Sequence, residues 1–320
     1  MKRRILFITA TRIGDAVLST GLLSKLARDN PDARFTVACG PIPAPLFEPA
    51  PFVERVIPMP KRRRAGHWID LWKKTVLTPW SMVVDLRGSG LSYVLPTLRR
   101  HVVKSSWEPK HRLYHIASAC GLTEPQAPEL WSTPEQDRIA RALMPEGPIL
   151  ALGPSANWGG KQWPAQRFAQ VALALTAPDG PLAHAKVAVL AAPAEAAQAQ
   201  PVLDAIPEDR RIDLIGKVDL PTLYACLKRA SLYVGNDSGL MHMAAASGIP
   251  TLGLFGPSSE IFYGPWGPKC ASVRGPRSFE DICHAPDFDY KSHDCLMLDL
   301  DADKVISAAT DLVKRTARAS

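Results

Sequence analysis

Val234-Gly-Asn-Asp-Ser-Gly-Leu-Met-His242 is the stretch on which the fold turns. An apolar run, Ser231-Leu-Tyr-Val234, leads into a polar turn, and a helical pattern follows at once over 240–247. Asp237 and Ser238 stand where a helix N-cap belongs, and Gly239 lets a backbone come close to a ligand. A helix start presents unpaired N–H groups and the positive end of a macrodipole, a natural seat for phosphate. On its own, the stretch reads equally well as an ordinary capped helix.

The same strand-to-helix pattern extends in both directions. Residues 149–152, 186–191, 212–215, 232–234 and 251–255 read as strands, with helices over 164–175, 220–229 and 240–247. The first half gives strands at 5–10, 35–39, 53–57 and 82–86, and residues 102–103 are read as the start of a fifth. Its first helix, 15–28, carries Leu18, Leu22 and Leu26 on one face. Such alternation predicts parallel sheets covered by helices on both sides. Pro145-Glu-Gly-Pro148 marks a boundary, so the expected class is α/β, with Rossmann-like domains at 1–147 and 148–320. Two such halves, facing one another, would leave a cleft where the carboxyl ends of both sheets converge. The closing helix, 302–314, is a candidate to pack back on the first domain.

Composition narrows the function. The chain has 320 residues, 46% of them apolar, and no apolar run approaches the length of a membrane span. Met1-Lys-Arg-Arg4 followed by the apolar 5–10 mimics a signal peptide, but Arg12 and Asp15 interrupt it. A cytoplasmic protein is expected. The cysteines at 39, 120, 226, 270, 283 and 295 are scattered like reduced thiols. Cys283-His284 and His293-Asp294-Cys295 lack a tight Cys-x-x-Cys pair, so no metal is expected. Residues 1–147 hold 22 basic against 13 acidic residues, whereas 148–320 hold 16 against 18. The excess gathers at Lys61-Arg-Arg-Arg64, Arg99-Arg100 with Lys104, and Lys110 with Arg112, which suggests an anionic partner. Nucleic acid is disfavoured because aromatic platforms do not interleave with these charges.

Three loops at strand ends carry side chains suited to chemistry. Thr11-Arg-Ile-Gly-Asp15 follows the first strand, and a carboxylate at Asp15 can orient or deprotonate a hydroxyl. Gly153-Pro-Ser-Ala-Asn-Trp-Gly-Gly-Lys-Gln-Trp-Pro164 outlines a phosphate cradle, with Lys161 as a point charge. It is not a Walker A loop, because Ser155 and Gln162 occupy positions that need Gly and Ser/Thr. The third loop is the opening stretch, continued by Ala244-Ala-Ala-Ser-Gly-Ile-Pro250 and Leu254-Phe-Gly-Pro257.

Taken together, these three segments resemble the glycosyltransferase family 9 heptosyltransferases, bacterial enzymes of lipopolysaccharide core assembly. The resemblance implies a GT-B fold, with acceptor bound by the first domain and nucleotide-sugar donor by the second. It implies inversion at the anomeric centre with no metal and no cofactor. Carried over by motif, Asp15 matches the catalytic base, Lys161 the lysine on the donor diphosphate, and Asp237 the carboxylate that holds sugar hydroxyls. Ser238 and Gly239 match backbone donors to phosphate, His242 a motif histidine, and Ser155 and Asn157 fall in the donor loop. The implied donor is ADP-heptose and the implied acceptor an anionic glycolipid, the lipopolysaccharide core. Arg12, Arg62, Arg63, Arg64, Arg99 and Arg100 are candidates to receive that acceptor, in peripheral contact with the inner membrane. Arg12, Gly21 and Ala191-Ala-Pro193 depart from the usual pattern. Transfer of another sugar, or a GT-B epimerase or hydrolase that consumes donor without an acceptor, is the alternative.

Overall fold

The structure, a computed structural model, describes residues 3–104, 108–286 and 288–318. The chain divides into two compact units, Met1–Thr133 and Pro134–Ser320. The expected boundary lay at 147/148. The chain instead divides ahead of helix α4 (Pro134–Leu143), which packs against a helix of the second unit and is tied to it by Lys228–Asp137 at 2.9 Å.

The first unit is built on β1 (Arg4–Ile8), β2 (Arg34–Cys39), β3 (Val53–Pro58), β4 (Trp80–Asp85) and β5 (Thr97–Val102). They form one parallel sheet in the order β3-β2-β1-β4-β5. Helices α1 (Ile13–Asp29), α2 (Gly66–Thr75) and α3 (Arg112–Ser118) complete it. Leu6, Ile8, Val83, Leu71 and Trp80 belong to its core. The central strands are apolar because a parallel strand covered on both faces meets no water. β5 runs up to 102 rather than starting there. It is an edge strand whose Leu98-Arg-Arg100 run is exposed, so it carries no apolar alternation to betray it.

The second unit contains β6 (Ile149–Gly153), β7 (Lys186–Ala191), β8 (Arg211–Ile215), β9 (Leu232–Asn236), β10 (Thr251–Phe255) and β11 (Cys270–Arg274). All are parallel, in the order β11-β10-β9-β6-β7-β8. After α4 its helices are α5 (Ala165–Leu175), α6 (Ala196–Ala205), α7 (Leu220–Leu227), α8 (Gly239–Ala246), α9 (Glu260–Tyr263), α10 (Phe279–Cys283) and α11 (Ala302–Ala317). Leu150, Leu152, Phe168, Val187, Val189, Val234 and Leu252 share one buried core with Val305, Ala309 and Leu312 of α11. The closing helix thus belongs to the second unit, where its apolar stripe meets α5 and the β10–β11 edge, and not to the first.

Each sheet has the strand order of a doubly wound fold, with its switch point between the first strand and the fourth. That is β1/β4 in the first unit and β6/β9 in the second. Ligands of such sheets bind outside the carboxyl ends of these strands. No helix among the described residues is long and apolar enough to cross a membrane.

Candidate active site

At the second switch point, β6 and β9 lie side by side with Gly153 opposite Gly235. The chain leaves β6 into loop 154–164 and leaves β9 into Asp237-Ser238. Asn236, fully buried, fastens the two exits together. Its Nδ2 donates to the Pro154 carbonyl at 2.8 Å, and its Oδ1 accepts from the Trp163 amide at 3.3 Å. An amide can do both because it is donor and acceptor at once. Trp163 adds an indole bond to the Leu300 carbonyl at 2.9 Å, and Gln162 donates to the Ala156 carbonyl at 2.9 Å.

This loop delivers Lys161 Nζ to within 2.5 Å of Asp237 Oδ2. Asp237 is 7% exposed, and the lysine side chain is 23% exposed. The two motif residues, 76 positions apart, are therefore one ion pair at the switch point. Next to them α8 begins. Ser238 occupies the N-cap position in extended conformation, yet its side chain makes no cap hydrogen bond. Asp219 at the start of α7 and Ser278 at the start of α10, by contrast, accept from their helices at 2.9 and 3.0 Å. α8 stops at Ser247, followed by Gly248 at φ +80°, the left-handed turn that glycine adopts without strain. Met241 packs over Gly253 of β10, where a methyl group would stand 2.4 Å from its sulfur. His242 is buried on the same helix and is not without a partner.

Other residues of the loop behave differently. Ser155 is buried and donates to Glu195 Oε2 at 2.6 Å, and Gln198 Oε1 accepts from the Ala156 amide at 3.2 Å. Asn157 is exposed at the loop tip. Close packing by itself calls for the glycine pair. A methyl group on Gly159 would stand 2.0 Å from the His293 carbonyl oxygen, and Gly160 accepts from Leu296 N at 3.1 Å. Trp158 donates to the Ser292 carbonyl at 2.9 Å. Gly159 is a glycine because segment 292–296 lies directly against it, and Gly160 because the Trp158 ring fills the space beside it. Among the described residues no group of three or more His, Cys, Asp or Glu is placed to hold a metal.

In the first unit, helix α1 starts at Ile13, so Asp15 lies in its first turn rather than opening it. Asp15 is half-buried and engaged. Its loop is held by Gly40 at the end of β2, where a methyl group would stand 2.6 Å from Thr11 Cα. Across the switch point Asp85, fully buried, accepts from Arg87 N and Ser89 N at 2.9 Å each and from Ser89 Oγ at 2.5 Å.

The six arginines are not gathered. Arg12 follows the central strand, Arg62–Arg64 follow β3, and Arg99 and Arg100 lie on β5, the opposite edge of the sheet. Arg62 pairs with Asp70 at 2.8 Å. Arg100 donates to the Ser92 carbonyl at 2.5 Å and to the Leu95 carbonyl at 3.3 Å, holding its own loop. Glu195, Asp85 and Gly40 were not singled out by the sequence: Glu195 acts on a loop 40 residues away, Gly40 through close backbone approach, and Asp85 on its own turn.

Two doubly wound parallel sheets, each with its own switch point, give the chain the GT-B architecture of a glycosyltransferase. Residues 76–287 match the model of glycosyltransferase family 9 (heptosyltransferase), and the chain belongs to that family. It is similar to lipopolysaccharide heptosyltransferase 2 of Salmonella typhimurium, 27% identical over 312 residues, 85% of this chain and 88% of that protein. Among solved structures, a glycosyl transferase family 9 protein from Veillonella parvula superposes with TM-score 0.80 at 20% identity, covering 98% of each chain. The E. coli ADP-heptose lps heptosyltransferase II superposes with TM-score 0.75 at 20% identity, covering 98% of this chain and 99% of that one.

Proposed function

We propose that this glycosyltransferase moves a heptose from ADP-heptose onto a lipopolysaccharide core acceptor, with inversion and without a metal. The Lys161–Asp237 contact beside the start of α8 carries the reading. As a nucleoside diphosphate leaves, negative charge grows on its phosphates and positive charge on the anomeric carbon. A protein that meets this charge itself needs a fixed cation and aligned backbone donors. Lys161 has three N–H donors, of which one reaches Asp237, leaving two for phosphate oxygens. Ser238 and Gly239 present the positive end of α8 to the same oxygens. Asp237 accepts from sugar hydroxyls.

Asp15 is assigned as the base. The acceptor hydroxyl gives its proton to the carboxylate, its oxygen attacks the anomeric carbon, and the bond to the β-phosphate breaks with ADP as leaving group. The basic first unit supports an anionic acceptor at the cytoplasmic membrane face. Arg63 and Arg64 after β3 are exposed, as are Ile69, Trp72 and Leu77 of the segment that follows.

Thermal stabilisation by ADP, UDP and GDP tests the nucleotide, since a ligand bound only by the folded state raises its melting temperature. ADP is expected to rank first. Lys161→Ala is expected to weaken ADP binding by about 10- to 100-fold, the scale of a charged hydrogen bond. Equal affinity in the variant would remove Lys161 from the phosphate site, and turnover abolished by a chelator would contradict the metal-free step.

A further inference from the structure

Tyr233 is the third group at the second switch point, and no motif singles it out. It is fully buried on β9, two residues before Gly235 and hence on the same face of the strand. Its ring lies over the two glycines that face each other across β6 and β9. A methyl group on Gly153 would stand 2.0 Å from the tyrosine oxygen, and one on Gly235 would stand 2.3 Å from it. The glycines therefore form a slot that fixes the ring and carries its hydroxyl toward the carboxyl ends of the strands. There, the polar groups that act on it are the Ser238 hydroxyl and then the carboxylates of Glu195 and Asp237. Burial pushes its pKa well above the ordinary tyrosine value, so the phenol is a neutral donor.

Both Tyr233 Oη and Ser238 Oγ are buried; they lie near enough to act on one another, yet neither makes a hydrogen bond of ordinary geometry among the described residues. A phenylalanine would fill the same slot, so a buried, partnerless hydroxyl lowers the stability of the fold for nothing in return there. Ser238 is idle in a matching sense: it stands at an N-cap and does not cap. Two idle hydroxyls, side by side at a helix start, are explained together if a ligand completes them. This step rests on the phosphate-binding reading of α8 given above. We propose that Tyr233 is a positioning residue of the donor site. Its hydroxyl donates to Ser238 Oγ, and the Ser238 proton is thereby aimed at a diphosphate oxygen seated on the start of α8. A chain of hydroxyls polarises along its length, so the terminal donor is stronger for having the phenol behind it.

The test is a double-mutant cycle of Tyr233→Phe and Ser238→Ala, read by melting temperature without ligand and by calorimetric affinity for ADP. Tyr233→Phe is expected to melt at or above the parent temperature, because it removes an unsatisfied polar atom. It is expected to bind ADP about 3- to 10-fold more weakly, the value of one neutral hydrogen bond. In the Ser238→Ala background the same change is expected to have no further effect on affinity. ADP affinity unchanged by Tyr233→Phe would overturn the proposal. So would a loss of the same factor whether or not Ser238 is present, since that marks a packing effect independent of the serine. A parent protein that binds none of ADP, UDP or GDP would instead sink the donor-site reading itself.

Discussion

The last buried residue of β4 and its counterpart at the end of β9 do the same job with different chemistry. Asp85 ties down the loop after its strand through three donated bonds, two from backbone amides and one from a serine hydroxyl. Asn236 binds one amide and one carbonyl, and so joins the exits of two different strands. A carboxylate accepts only, so Asp85 organises its own turn and nothing beyond it. The amide at 236 holds the neighbouring loop without adding charge. That leaves Asp237, one position on, as the carboxylate that meets Lys161. Neutral scaffolding beside a charged site leaves Asp237 paired with Lys161. A second carboxylate at the end of β9 would compete for the same lysine.

The comparison can be broken in several places. The largest effect is expected from Asp15→Ala at the first switch point, where transfer should fall by about 100- to 10,000-fold. ADP-induced stabilisation should survive, and parallel loss of both would show that the residue supports folding rather than proton removal. Asn236→Asp comes next. It strands the Pro154 carbonyl and buries a charge, at a cost of about 3 kcal/mol or more. Denaturant unfolding followed at two probes would measure it; a cost under about 1 kcal/mol would deny the amide its joining role. Asp85→Asn is expected to be milder, about 1–2 kcal/mol, because an amide oxygen still accepts one of the three bonds.

The smallest effect concerns acid. Arg274 hydrogen-bonds Glu260 and the Gly256 and Ser258 carbonyls, so the loop after β10 is closed by an ion pair. The guanidinium holds the Glu260 carboxyl below its usual pKa. A carboxylate depressed in the folded state stabilises above its unfolded pKa and loses that contribution as pH falls through the folded value. Stability below about pH 4.3, the unperturbed Glu value, should therefore drop less steeply in Glu260→Gln than in the parent. Melting curves across pH 3 to 6 would show identical slopes if the pair were inert.

How far the sequence revealed this molecule depended on burial. The central strands stood out because parallel strands covered on both faces are unbroken apolar runs, as in Ile149–Gly153. The edges did not: β5 is led by Leu98-Arg-Arg100 in the open, and the five-residue β11 passed unnoticed. Lys161 and Asp237 were legible by motif, but their direct contact was not, because it depends on Asn236 closing a separation of 73 residues. A separation of 40 residues from Ser155 hid Glu195. The glycines at 159 and 160 also answer to close packing, against the His293 carbonyl and the Trp158 ring, which composition alone does not show.

That packing has a mechanical consequence. With no room for even one methyl beneath the His293 carbonyl, loop 158–160 and the strap at 292–296 are meshed like teeth and travel as one body. Lys161 rides on that body. Natural variation in the strap, more than forty residues beyond the end of α8, can therefore tilt the ammonium without altering either member of the Lys161–Asp237 pair.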